Sequence, residues 1–328
     1  MNQKNHLKEG IKGSNMSFPP ENSSDIPDEV SADPSKNSLA AAAPAKPRVW
    51  TLFLTSLCVF VLVIALQIAA TLVTLLIQAV QGQPLEKVAE ELPSLMMAPP
   101  MFVLTIILSG LGTTTGALLF GRFSAKHASC PLRERLGMRW PPISALSLVV
   151  FLLGSIPVLL VSLGAVYLVS LVLSGDESLL ATYKNMPNGW AVVFIVAIGI
   201  FPGIGEELFF RGFFQRRMLQ RYGPWVAIGV TSVVFGLFHI TPHAIALATI
   251  IGVWLGVIAW RTNSIWPSAC CHAFINSGWN VYQVGRFHWG IPDVPPNWFL
   301  ALGGLFTLAA FGASVWILLK MDPRSTAA

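Results

Sequence analysis

The chain reads as an all-α polytopic membrane protein of about eight transmembrane helices, with both termini cytoplasmic and a buried polar cavity. Three observations predict this. Of 328 residues, 54% are hydrophobic and only 11% are charged, whereas a soluble domain carries about 25% charged residues. Apolar runs recur that reach the roughly 20 residues needed to cross a hydrocarbon core of about 30 Å. The loops between them alternate between basic and acidic.

Taken in order, residues 1–48 hold six Lys/Arg and six Asp/Glu among Asn, Ser, Pro and Ala. Such a segment cannot bury enough apolar surface to offset its ordering entropy, and is read as a disordered cytoplasmic tail. No short apolar core follows its lysines, so it is not a signal peptide. Residues 49–328 form the membrane domain, with the polar residues singled out below expected to form its core at about 190–285. The spans are expected at about 50–80, 99–121, 143–174, 189–219, 224–240, 243–260, 264–283 and 298–319. Thr241-Pro242 makes the turn between the fifth and sixth tight.

Loop charges orient these spans. Lys46 and Arg48 precede the first, and Arg122, Lys126, Arg133, Arg135 and Arg139 follow the second. Arg216, Arg217 and Arg221 follow the fourth, Arg261 the sixth, and Lys320 and Arg324 the eighth. The opposite loops carry Glu86, Glu90, Glu91, Asp176, Glu177 and Asp293, with Lys87, Lys184 and Arg286 as their basic residues. The positive-inside rule then places both termini in the cytoplasm. The net charge of +5 is thus a topology signal, and no nucleic-acid partner is expected. Cys58, Cys130, Cys270 and Cys271 are read as free thiols.

Within this apolar background, "GIGEELFFRGFFQRRM" (203–218) puts Glu206 and Glu207 side by side. Each ionisable group at a helix centre costs about 2.5–3.5 kcal/mol by insertion scales. Glu207 and Arg211 are four apart and can pair on one face, while Glu206 is rotated about 100° away. Pro202, Gly203 and Gly205 can break the helix just before the acids. The stretch taken alone also reads as an amphipathic end of the fourth span at the cytoplasmic interface.

Other spans contribute His239 in "VAIGVTSVVFGLFHI" and, four apart in "SIWPSACCHAFINSGWN", His272 and Asn276. A lone intramembrane His can be a packing residue bonded to a neighbouring helix. Glu207, His239 and His272 lie ten, thirteen and eight residues from cytoplasmic ends near Arg217, Val226 and Ser264. Those are depths of roughly 15, 20 and 12 Å, so the three can share one cavity. A carboxylate with a His can take a proton from water, directly or with a metal lowering that water's pKa. A His and an Asn on one face can donate to an oxyanion.

These motifs resemble those of the CAAX prenyl protease and bacteriocin-processing (CPBP) family of intramembrane proteases. "EELFFRG" fits its Glu-Glu-x-x-x-Arg signature, "FGLFH" its Phe-x-x-x-His motif, and "HAFIN" its His-x-x-x-Asn/Asp motif. The resemblance implies a buried polar active-site cavity in which Glu206 and His239 activate water. His272 and Asn276 would form the oxyanion site, with Glu207 and Arg211 as a supporting pair. It also implies a metalloprotease using zinc, with Glu206, His239 and His272 as ligands, although the soluble His-Glu-x-x-His signature is absent. The expected substrate is a protein or peptide, lipid-modified or not. Removal of a tripeptide from a prenylated C-terminus, bacteriocin maturation and self-immunity all occur in the family.

Two other classes stay open on the residues alone. One is a non-catalytic scaffold or immunity protein of the same fold. The other is a proton-coupled transporter built on an intramembrane Glu/His relay, although no internal repeat supports it. In each case the chain is a multi-pass integral membrane protein among membrane lipids, in the plasma (inner) membrane if bacterial. His243 is placed in the fifth-to-sixth loop and His288 in an interfacial aromatic belt. His127 belongs to a basic loop and His6 to the tail. Gly252 and Gly256, four apart, read as a close helix contact.

Overall fold

The computed structural model describes residues 48–123, 130–175 and 177–322, except the side chains of Leu85 and residues 177–179. The tail expectation therefore lies outside the described residues, as do His6, Lys46, Lys126, His127, Asp176 and Arg324. Every regular element among the described residues is helical: α1 (Val49–Val80), α2 (Leu85–Met97), α3 (Pro99–Phe123), α4 (Leu132–Arg135), α5 (Ala145–Ser170), α6 (Glu177–Asn185) and α7 (Asn188–Glu206). α7 continues as a π-helical stretch, Glu207–Gln215, and then as α8 (Arg216–Leu219). α9 (Pro224–Leu237), α10 (Pro242–Thr262), α11 (Trp266–His288) and α12 (Asn297–Lys320) follow.

All eight expected spans are helical. Six are long and apolar enough to cross a membrane: α1, α3, α5, the continuous α7–α8 rod, α10 and α12. The chain is a multi-pass integral membrane protein. α9 is apolar but has only 14 residues, about 21 Å of helix. α11 has 23 residues, but His272, Asn276, Asn280, Gln283 and Arg286 lower its apolarity. Large apolar side chains face outward along most helices, such as Leu57 and Leu76 on α1 at 57% and 63% exposed. A surface of that kind needs lipid as its solvent.

Three apolar clusters hold the bundle. One gathers Phe209, Phe210, Phe213 and Phe214 with Phe235 and residues of α1, α3 and α9. A second joins α3, α6 and α7 around Phe194 and Met186, and a third joins α5, α10, α11 and α12 around Phe151, Trp254 and Ile258. Trp254 Nε1 donates to Ser155 Oγ at 2.8 Å, which ties α10 to α5.

The crossing of α3 and α7 fixes the site. A Cβ on Gly205 would fall on the Gly110 carbonyl oxygen, and one on Gly110 would fall on the Phe201 backbone. The two backbones therefore meet at glycines, one residue before Glu206. Gly252 and Gly256 on α10 behave as read: a Cβ on Gly256 would lie 2.8 Å from Gln215 Oε1 and 3.0 Å from Ile228 Cγ2. The loop before α5 is stapled to the start of α11, since Ser264 Oγ donates to Arg139 O at 2.6 Å and Trp266 Nε1 to Met138 O at 2.7 Å.

Several expectations are corrected. α2 and α6 lie in segments read as loops. The fifth span ends at Leu237, so His239 sits in the turn after α9 rather than in a helix. His243 is not in a loop: Pro242 opens α10, where a missing N–H costs nothing, and Thr241 Oγ1 accepts from Ala244 N at 3.4 Å as the cap. The seventh span continues to His288, whose Nε2 hydrogen-bonds Tyr183 O at 2.8 Å and so ties α11 to α6. The four cysteines are free.

Candidate active site

The π-helical stretch is buried along its whole length, from Glu207 to Gln215. π-helical turns are rare and often mark functional sites. Three of its polar side chains, four residues apart, are hydrogen-bonded inside the bundle. Glu207 Oε1 accepts from Arg211 Nη1 at 2.7 Å. Arg211 Nη2 donates to Gly252 O at 3.1 Å, and Gln215 Nε2 to Gly256 O at 2.9 Å. The spacing Glu207, Arg211, Gln215 was a readable signal for Gln215, which the sequence reading passed over.

His272, on α11, joins this network. Its Nδ1 lies 3.1 Å from Glu207 Oε1 and its Nε2 lies 3.8 Å from Glu206 Oε2. A carboxylate accepts, so Nδ1–H is the donor to Glu207 and Nε2 is the atom turned towards Glu206. Glu207 has no exposed side-chain surface, while Glu206 keeps 12%. Glu206 Oε2 is itself buried and has no hydrogen-bond partner among the described residues. One acid is thus consumed in the scaffold, and the other faces a histidine across a gap.

Phe235, of the Phe-x-x-x-His motif, is the apolar hub. The Arg211 guanidinium lies 4.4 Å from its ring centroid, a cation–π geometry. The rings of His239 and His272 stand edge-on to it at 5.0 and 5.8 Å. His239 therefore borders the site through Phe235, and no described hydrogen bond or ion pair joins it to Glu206. Its Nδ1 lies 3.1 Å from Phe235 O; a carbonyl accepts, so Nδ1–H donates and Nε2 is left for another group. The next residue, Ile240, has φ of 66°, a left-handed conformation that is uncommon for a β-branched residue.

Asn276 lies one turn along α11 from His272, and its Nδ2 donates to Ile198 O at 3.2 Å. The reason is in α7. Pro202 has no N–H, so the carbonyl four residues earlier, that of Ile198, lacks its helical donor. Asn276 replaces the missing donor with one amide hydrogen and keeps the other. Asn280, four residues on, donates from Nδ2 to Asn276 O at 2.7 Å and accepts from Tyr183 OH at 2.5 Å. The His272, Asn276, Asn280 spacing was readable, but Tyr183 was not, because it comes from a helix read as loop.

Structural zinc takes four protein ligands and catalytic zinc commonly three. Among the described residues, no three His, Cys, Asp or Glu side chains come close enough together to hold a metal ion. Glu206 and His272 face each other, but His239 does not complete a set with them. As arranged, the residues expected as ligands do not form a three-ligand site. A cavity of about 620 Å³ reaches Arg211 and Gln215 from α8, α9 and the end of α10. It is not lined by Glu206, His239 or His272.

Residues 188–278 match the protein family described as "Type II CAAX prenyl endopeptidase Rce1-like". The matched segment runs from the first residue of α7 to Gly278 on α11 and contains all six candidate residues. No curated protein and no solved structure matches the chain.

Proposed function

We propose that the chain is a membrane-embedded endopeptidase of the CAAX type, in which Glu206 activates water to cleave a peptide bond near a protein or peptide C-terminus. The observation that carries this reading is the gap between Glu206 Oε2, buried and without a hydrogen-bond partner among the described residues, and His272 Nε2, 3.8 Å away. One water can hydrogen-bond both atoms across such a gap, at about 2.8 Å to each.

In this reading the water gives a proton to the Glu206 carboxylate as its oxygen attacks the scissile carbonyl carbon. His272, held at Nδ1 by Glu207, turns Nε2 first to the water and then, carrying a proton there, to the oxyanion forming beside it. The second amide hydrogen of Asn276 is available to the same oxyanion. Glu206 then returns its proton to the leaving amine, which balances the hydrolysis. His239, with Nε2 unengaged at the border of the site, acts on the water or the departing amine. Arg211 orients Glu207 through its hydrogen bond to Oε1, and does not touch the reacting atoms.

The topology belongs to the same proposal: eight membrane helices, of which α9 does not reach across the core, with both termini in the cytoplasm. Arg216, Arg217, Arg261 and Lys320 at one set of helix ends support it, against Glu86, Glu90 and Asp293 at the other. α9 is too short for a core of about 30 Å, so the turn that follows it, with His239, lies at membrane depth. Irregular backbone is tolerated there when it lines a protein cavity.

The test is cleavage of a panel of prenylated and unprenylated C-terminal peptides by purified protein in proteoliposomes, with the products weighed by mass spectrometry. Products cut at one bond near the C-terminus, made by wild type and not by Glu206→Gln or His239→Ala, are expected. A wild type that cleaves nothing, while Glu206→Gln still complements a deletion strain, would instead identify a non-catalytic scaffold.

A further inference from the structure

The residue whose amide the proposed reaction draws on, Asn276, is tied through α11 to the short helix α6. Asn280 Nδ2 donates to Asn276 O at 2.7 Å. A main-chain carbonyl only accepts, so Oδ1 is the Asn280 atom left for Tyr183, whose hydroxyl donates to it at 2.5 Å. Asn280 and Tyr183 are both buried, at 4% and 5% exposed. Burial pushes the Tyr183 phenol above its ordinary range, so the hydroxyl keeps its proton and remains the donor. His288 Nε2 donates to Tyr183 O at 2.8 Å, so α11 grips this tyrosine at two points. The Tyr183 ring also packs on Phe194 of α7, with centroids 6.0 Å apart. Tyr183 and Asn280 both lie outside the matched segment 188–278.

The contact between α11 and α7 needs such a tie. Its facing residues are small: a Cβ on Gly199 would fall on Ser277 Oγ, and one on Gly203 would lie 3.3 Å from Ala273 Cβ. Ser277 Oγ donates to Ile195 O at 3.1 Å and Asn276 Nδ2 to Ile198 O at 3.2 Å, which sets the height of α11 along α7. Small residues let the two backbones approach closely, but they offer few ridges to oppose rotation of α11 about its own axis. Side-chain tips stand about 5–6 Å from a helix axis, so a turn of about 20° moves them by roughly 2 Å. A misplacement of about 1 Å can cost on the order of 100-fold in rate. The tie to α6 comes from a third element, where it resists that rotation.

We infer that Tyr183 is a positioning residue of the oxyanion site: its hydroxyl, through Asn280, fixes the rotation of α11 and with it the direction of the free Asn276 amide hydrogen. The inference rests on the role proposed for Asn276 and carries it to α6. Tyr183 does not touch the reacting atoms. A purely packing role would act through the ring on Phe194, to which the hydroxyl contributes nothing. Deleting the oxygen alone therefore separates the two.

Tyr183→Phe keeps the ring and removes only the hydroxyl. In proteoliposomes, on a peptide that the wild type cleaves, it is expected to lower kcat about tenfold with KM within about twofold. In an Asn276→Ala background the same change is expected to lower kcat by less than about twofold, because the donor it positions is gone. An unchanged kcat in Tyr183→Phe overturns the inference. An equal loss in both backgrounds does so too, and would make Tyr183 a structural clamp. Denaturant unfolding of the two single variants and the double variant, in detergent, requires no activity. The rise in unfolding constant of the double variant is expected to fall short of the product of the single rises by about threefold or more. A double variant that matches that product overturns the inference whether or not the chain cleaves. A chain that cleaves nothing but shows the shortfall would instead count against the proposed protease.

Discussion

Glu207 is wholly buried, and its Oε1 takes hydrogen bonds from both Arg211 and His272. Removing one partner of such a pair leaves a buried charge uncompensated, which costs about 3–5 kcal/mol. Arg211→Met is therefore expected to lower unfolding stability by that amount. Arg211→Met combined with Glu207→Gln is expected to recover part of the loss, measured by denaturant unfolding in detergent. A full loss that the double change leaves untouched would mean that Arg211 acts through Gly252 O and Phe235 instead of through Glu207. At this scale the sequence was informative about pairing, because a spacing of four on a helix puts Glu207 and Arg211 together. It was silent on His272 Nδ1, since which ring nitrogen meets which acid depends on how α11 is rotated against α7.

The link between Pro202 and Asn276 belongs to the helices. Proline removes the donor for Ile198 O, and Asn276 supplies another. A double-mutant cycle tests this: Asn276→Ala is expected to cost about 1–3 kcal/mol in the wild type, because it leaves a buried carbonyl unsatisfied. In a Pro202→Ala background, where the alanine N–H can serve Ile198 O, the cost should fall by about 1 kcal/mol or more. Equal costs in both backgrounds would separate the two residues. Element by element, long apolar runs were legible, and all eight are helices. α2 and α6 were not, being short and carrying charged residues such as Glu90, Glu91 and Lys184 in segments that look like loop. The π-helical stretch left no periodic trace, because nine residues, Glu207–Gln215, are too few to separate its repeat from an α-helix. The end of α9 at Leu237 was also hidden, since the apolar run continues through Phe238 and Ile240 across the turn.

At the scale of the whole molecule, the proposed orientation rests on the loop charges. Single cysteines placed at Arg221 and Asp293, in a background without the four native thiols, test it by labelling of intact cells with an impermeant maleimide. Labelling only of the Asp293 site is expected, and labelling of the Arg221 site would reverse the topology. What composition could not reveal is how the bundle divides its polar residues: Glu207, Arg211 and Gln215 each hydrogen-bond within the scaffold, while Glu206 makes no described hydrogen bond and turns Oε2 towards His272. That division depends on the glycine crossing of α3 and α7 and on the rotation of α11, which are properties of packing. The most direct measurement is turnover by Glu206→Gln against wild type on one cleaved peptide, with the thermal unfolding of both proteins recorded alongside. A loss of at least about 100-fold in kcat at unchanged unfolding temperature is expected for a general base. Turnover retained within a few-fold, at equal stability, would contradict the assignment of Glu206 to the water.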